Sequence, residues 1–364
     1  MTIIIFILIL GLLIFVHELG HFLAAKAVGA RVDEFALGFP PTLFSYQFGE
    51  TKYSLNLLPI GGFVKIYGED PLTVEPDEDY SQSLVAKPKW QQAIVLSAGV
   101  TFNVILAWLL ISVGLIIGLP ASEQEVGPLN NSQLTIVSVL ADSPAEKAGL
   151  MAGDVILEVS NSETTIETPT ISDFQLAVMK TPIEEEVSLT YQRQNKAETI
   201  SLVPKEGLTE DKTTMLLGVA LDQVGYLKLN PIKAFIYGVP YTFSLLEKMI
   251  YGFGDLFVTV FSGEQELKNT LAGPIGIASL VGEARDLGFV YLLTFTAFIS
   301  LNLAIINLIP FPALDGGRLL FLVIEKIKGS PLNPRIASTL NLIGLLFLLG
   351  LMILISVFDV MRLW

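Results

Sequence analysis

The stretch Phe15-Val16-His17-Glu18-Leu19-Gly20-His21 sets two imidazoles four residues apart with a carboxylate between them. On a helix, positions i and i+4 share a face one turn apart, so His17 and His21 can close on one metal ion. Glu18 projects beside them, where a carboxylate can take a proton from water activated by that metal. Neutral imidazole is a common zinc ligand, with bonds of about 2.0–2.1 Å. The chain has 2 histidines in 364 residues, and both lie here. The alternative is a pair of interior histidines satisfied by hydrogen bonds. The surroundings weigh against it, because residues 1–16 carry no charged side chain. Histidine and glutamate in a membrane-like run are expensive and mark function.

Composition says what must hold these groups. The chain is 52% hydrophobic and 16% charged, with a mean hydropathy of +0.61. That is too apolar for an ordinary soluble protein and fits a chain that crosses a membrane several times. A formal charge of −14 argues against nucleic acid as a partner. Cysteine is absent, which excludes disulfides, a thiolate nucleophile and cysteine-bound zinc. The N-terminal run lacks a basic start and a small-residue cleavage site, and it leads directly into the histidines. It reads as a retained transmembrane helix rather than a signal peptide.

Four runs are long enough to span a bilayer, at about residues 2–24, 91–119, 288–314 and 336–358. The fold expected is a mainly α membrane protein with four transmembrane helices, a membrane-associated β-hairpin or small sheet, and an inserted α+β domain. The boundaries expected are 1–125, 126–222, 223–287 and 288–364. Within the first loop, Pro59-Ile60-Gly61-Gly62 reads as the turn of a hairpin flanked by apolar and aromatic runs. Residues 69–79 read as an acidic, solvated loop. Residues 230–263 are amphipathic and aromatic but too often charged to span, so an interfacial helix is expected.

Residues 134–204 turn soluble in composition. Ile136 to Val139 reads as a strand, Ser143-Pro144 as a capped helix start, and Gly149 as its end. Residues 187–191 and 199–203 read as a later hairpin. The core Ala148-Gly149-Leu150-Met151-Ala152-Gly153-Asp154-Val155-Ile156 resembles a PDZ domain of the circularly permuted bacterial type. Such domains take peptides by adding a strand to a sheet edge, here near Leu217-Gly218-Val219 and the Ile136 strand.

A third metal ligand must reach the depth of His17. Asp315, at the end of the third run, is the best candidate, with Asp33, Glu34 and Glu325 as weaker ones. An isolated aspartate there could also cap a helix. If Asp315 meets His17, the first and third spans run the same way and residues 230–263 do not cross. Lys52, Lys65, Lys87 and Lys89 follow the first span, and Arg318, Lys326, Lys328 and Arg335 follow the third. The positive-inside rule then sets the metal toward the cytosol, and the PDZ-like domain and both termini outside.

His-Glu-Leu-Gly-His in the first span, a PDZ-like insert, and Asn307-Leu308-Ile309-Pro310-Phe311-Pro312-Ala313-Leu314-Asp315-Gly316-Gly317 together resemble the site-2 protease family, nearest the bacterial regulator-of-sigma-E proteases. The resemblance covers essentially the whole chain. It implies one Zn2+ held by His17, His21 and Asp315, with Glu18 as general base. It implies that Asn307 holds the substrate backbone or the oxyanion. It also implies that a strand-forming loop at about 53–67, with Gly61, Gly62 and Phe63, pairs with extended substrate. Gly99-Val100-Thr101-Phe102-Asn103 matches a family stretch whose usual proline is missing, and Asn103 is expected among the substrate contacts. Larger relatives carry two PDZ domains, and one is found here. The function expected is intramembrane cleavage of single-span membrane proteins, such as anti-sigma factors or signal-peptide remnants, with the lipid bilayer and peptide termini as further partners. A catalytically silent membrane receptor working through its PDZ-like domain is the alternative. A membrane-anchored protease cutting soluble chains is a third reading.

Overall fold

The computed structural model describes residues 1–69, 80–126, 129, 132–182, 184–193, 196–205, 216–262 and 273–362. The acidic loop expected at 69–79 lies, beyond Glu69, outside the described residues. The chain divides into two compact units.

The first unit comprises residues 1–113, 231–285 and 292–364. Helix α1 (Thr2–Ala27) is followed by strands β1 (Val32–Phe48) and β2 (Thr51–Ile66), then α2 (Lys89–Ile117). Later come α6 (Pro231–Ser262), α7 (Pro274–Leu287), α8 (Phe289–Leu308), α9 (Asp315–Lys328) and α10 (Pro334–Arg362). Among the described residues, α1, α2, α8 and α10 are long and apolar enough to cross a membrane. They lie where the sequence puts them. In lipid every backbone group must be bonded internally, and unbroken helices of this kind satisfy that. On α10, Leu342, Ile343, Leu346, Phe347 and Ile353 stay more than half exposed, which lipid tolerates and water does not. Helix α6 is the amphipathic element expected, with Ile232, Ile236, Phe243, Tyr251 and Val258 exposed.

Among the described residues, two apolar clusters hold this unit. Ile9 and Leu13 of α1 meet Val281 of α7, with Leu106, Phe295 and Leu303 around them. Ala25, Val32, Phe35, Val64, Ile66, Leu84 and Val95 join α1, both strands and α2.

The hairpin differs from expectation. Its turn is at Gly49-Glu50, where Phe48 faces Thr51, and not at Pro59–Gly62. Val32 to Leu37 pairs with Ile66 to Gly62, and Phe44 to Phe48 pairs with Leu55 to Thr51. Pro59 and Gly61 therefore lie inside β2, at a shift of register. Pro59 has no donor for a ladder bond, and Gly61 takes φ +123°, so the pair bends the strand without reversing it.

The second unit comprises residues 114–230 and 286–291. Its seven-stranded antiparallel sheet has the order β3 (Leu119–Ser122), β9 (Val219–Leu227), β4 (Gln133–Val139), β5 (Val155–Ser160), β7 (Val187–Arg193), β8 (Lys196–Leu202), with β6 (Thr165–Glu167) on β5. Short helices α3 (Glu123–Val126) and α4 (Pro144–Lys147) and the longer α5 (Ile171–Lys180) complete it. Ser143 caps α4 as expected, and the hairpin β7–β8 lies where the sequence puts it. The Gly-Asp of the PDZ-like motif has a structural cause. Asp154 is buried and holds Arg193 through two bonds of 2.7 Å, while its Oδ2 accepts from Met151 N–H at 2.9 Å. Helix α5 was not expected. A capping box, Thr170 with Asp173, starts it.

Candidate active site

Helix α1 presents His17 and His21 on one face, and the first turn of α9 brings Asp315 to them. The Nε2 atoms of His17 and His21 are 3.2 Å apart, and each is 3.2 Å from Asp315 Oδ2. A tetrahedral ion with bonds of about 2.0–2.1 Å holds its ligands about 3.3–3.4 Å apart, so the triangle is the size of one face of such a site. His21 Nδ1 donates to Val95 O of α2 at 2.8 Å, which leaves its Nε2 as a lone pair. Asp315 Oδ2 is a buried atom without a hydrogen-bond partner. Acceptors facing one another at this distance repel unless a cation lies between them. The donor set therefore fits zinc.

The weaker candidates are occupied elsewhere. Asp33 pairs with Arg31 at 2.8 Å, Glu34 accepts from Ser54 and pairs with Lys52, and Glu325 pairs with Lys89. Asp315 opens α9 as its first residue, with Leu314 before it as the N-cap. Gly316 and Gly317 are helical and buried. A Cβ on Gly316 would lie 2.3 Å from the Leu308 and Ile309 carbonyl oxygens, and one on Gly317 2.2 Å from Phe311 O. These glycines let the first turn of α9 press against the chain that leaves α8, and that sets the depth of Asp315.

Glu18 follows His17 on α1 and lies beside the triangle, against β2. A Cβ on Gly62 would come within 3.4 Å of Glu18 Cγ, so Gly62 and Phe63 run past the general-base candidate. Gly61 lies against the Phe39 ring, and Phe63 stacks on Phe39 with centroids 6.4 Å apart. Asn307 is half-buried in the last turn of α8. Asn103, expected among the substrate contacts, is fully buried, and its amide lies 3.1 Å from His17 Nδ1.

Sequence reasoning passed over three features. Gly99 leaves the space that the imidazoles fill: a Cβ there would lie 2.3 Å from His21 Nε2 and 2.7 Å from His17 Nε2. Gly20 lets α1 and α2 approach, since its Cβ would lie 2.5 Å from Ala98 O. Arg318, one turn beyond Asp315, pairs with Glu69. A cavity of about 860 Å³ lined by Gln92, Leu96, Arg318, Leu322 and Glu325 lies next to these groups. The spacing Gly99 to Asn103, with an amide in an apolar span, was the signal available.

The chain resembles known proteins over nearly its whole length. The model of Peptidase family M50 matches residues 5–351. The regulator of sigma-W protease RasP of Bacillus subtilis (strain 168) is 31% identical over 440 aligned positions, covering 100% of this chain and 99% of the relative. The zinc metalloprotease RasP of Bacillus licheniformis is 30% identical over 445, covering 100% and 99%. A solved PDZ domain of the SdrC-like protein from Listeria monocytogenes is 20% identical, covers 26% of this chain and 92% of its own, and has a TM-score of 0.22. With four apolar helices and a family match over nearly its whole length, the chain is an integral membrane protein and a zinc-dependent protease that belongs to Peptidase family M50, the site-2 proteases.

Proposed function

We propose that this protease cleaves the membrane-spanning segments of single-span membrane proteins, with His17, His21 and Asp315 holding zinc and Glu18 acting as general base. The observation that carries the reading is the 3.2 Å triangle of ligand atoms that the apolar α1 and the first turn of α9 form together, with β2 running past Glu18. Zinc, when held there, supplies Lewis acidity toward the scissile carbonyl and the attacking water. Glu18 takes the proton from that water and later delivers it to the leaving amine. A helical peptide bond is shielded by its own hydrogen bonds, so the substrate must first be drawn out. Strand addition at Gly61, Gly62 and Phe63 supplies replacement backbone partners. Asn307 donates a hydrogen bond to the oxyanion. The cavity beside Arg318 and Leu96 offers water a route.

The basic residues after the first and third spans support a site toward the cytosolic face of the cell membrane, with both termini and the PDZ-like segment outside. A relative named as a regulator of sigma-W protease supports anti-sigma factors as one substrate class, beside signal-peptide remnants. Peptide termini at the PDZ-like domain remain part of this reading, near Leu217-Gly218-Val219. The silent-receptor alternative loses its ground with membership of a peptidase family.

The test is cleavage of a single-span model substrate by protein purified in detergent. Wild type should cut. Glu18→Gln should keep its zinc and lose at least about 100-fold in rate, as removal of a general base does. Retained cleavage in that variant would overturn the role of Glu18. Cleavage of soluble chains alone would overturn the substrate class.

A further inference from the structure

Asn103 lies in the middle of apolar α2 with none of its surface exposed. Its amide lies 3.1 Å from His17 Nδ1. Its main-chain carbonyl accepts from Ser300 Oγ of α8 at 2.8 Å, and Ser300 is also fully buried. With the amide nitrogen facing the ring, His17 must accept at Nδ1 and carry its proton on Nε2. That atom faces His21 and Asp315, so a cation would be excluded. The same orientation leaves Asn103 Oδ1 buried without a partner. The two ends of an amide are told apart by their bonding. Turned over, Oδ1 accepts from His17 Nδ1–H, and Nε2 keeps its lone pair. His21 is already held this way, by Val95 O. Val95, Gly99 and Asn103 fall at i, i+4 and i+8, so a single face of α2 offers an acceptor to each ring and a gap between them.

We propose that Asn103 is a positioning residue for His17. Its side-chain oxygen accepts the Nδ1 proton and fixes the tautomer and plane of the ring. Ser300 in turn fixes Asn103 from α8. The inference rests on the reading that His17, His21 and Asp315 hold zinc.

The experiment measures zinc in the full-length protein in detergent, by metal content and by competition with a chromophoric chelator. Wild type should hold zinc and His17→Ala should not; zinc retained by His17→Ala would overturn the reading beneath the proposal. Asn103→Asp keeps an acceptor and should stay within about threefold of wild-type affinity, whereas Asn103→Leu should lose about 10–100-fold. A role in packing alone predicts the reverse order, since leucine suits an apolar span and a buried carboxylate does not. Asn103→Ser, too short to reach the ring, should lose affinity as leucine does, and it serves where the leucine variant does not fold. The visible spectrum of the cobalt-substituted protein should change in the serine and leucine variants and not in the aspartate variant. Serine or leucine variants within about twofold of wild type, or an aspartate variant as weak as they are, would overturn the proposal.

Discussion

One glycine and one carbonyl group shape this centre around its imidazoles. Val95 O orients His21, and the absence of a side chain at Gly99 admits both rings. A methyl group 2.3 Å from His21 Nε2 cannot be absorbed by a far-end rotation, because the contact is with the ring itself. Gly99→Ala should therefore bind zinc at least about 10-fold more weakly, a loss on the scale of damaging a group that orients a ligand, and metal content checks it. Chelation should abolish cleavage in the wild type, and added zinc should restore it. Asp315 is legible as a candidate from its place after Pro310 and Pro312. Its depth is not, because that depends on Gly316 and Gly317 meeting the carbonyl oxygens of Leu308, Ile309 and Phe311.

Elements are fixed to one another by buried polar contacts that hydropathy does not register. Asp359, near the end of α10, is 4% exposed, and its carboxylate accepts from Gly273 N–H at 3.1 Å and Gly276 N–H at 2.9 Å. It caps α7 from a distant part of the chain, and a Cβ on Gly273 would lie 2.6 Å from its Oδ2. Asp359→Ala should cost about 1–2 kcal/mol, the worth of a lost helix cap, and raise hydrogen exchange in the first turn of α7. In the second unit, Arg193→Leu strands the buried carboxylate of Asp154. It should cost about 1–3 kcal/mol, read as a lower denaturation midpoint of that unit. Helix α5 has an acid dependence of its own. Hydrogen bonds from Thr170, first its side chain and then its backbone, hold the exposed Asp173 carboxyl below its usual range. The stability this adds is present above the ordinary carboxylate pKa and is lost as pH falls through the lowered folded value.

At the scale of the whole chain, the proposed topology has four spans, with the second returning between the first and the third. The absence of cysteine makes this directly testable. Cysteines placed at exposed Glu163 and exposed Ser330 should label from opposite faces of the membrane, 163 from outside and 330 only after permeabilisation. Labelling of both from one face would overturn the topology.

The positions of the spans, the metal-binding motif, the candidacy of Asp315 and the soluble insert all follow from local pattern. Each is set by residues near one another in sequence: an uncharged run, an i, i+4 pair, a proline break, a Gly-Asp turn. The tertiary structure alone decided the rest. Pro59 to Gly61 looks like a turn to any local rule, yet pairing of 62–66 with 32–37 keeps it inside one strand. Asn103 looks like a lone amide in an apolar span until α1 is packed on α2 and the amide is found 3.1 Å from His17 Nδ1. Those outcomes depend on which backbones approach closely, and a sequence records that only as scattered glycines whose partners are not named.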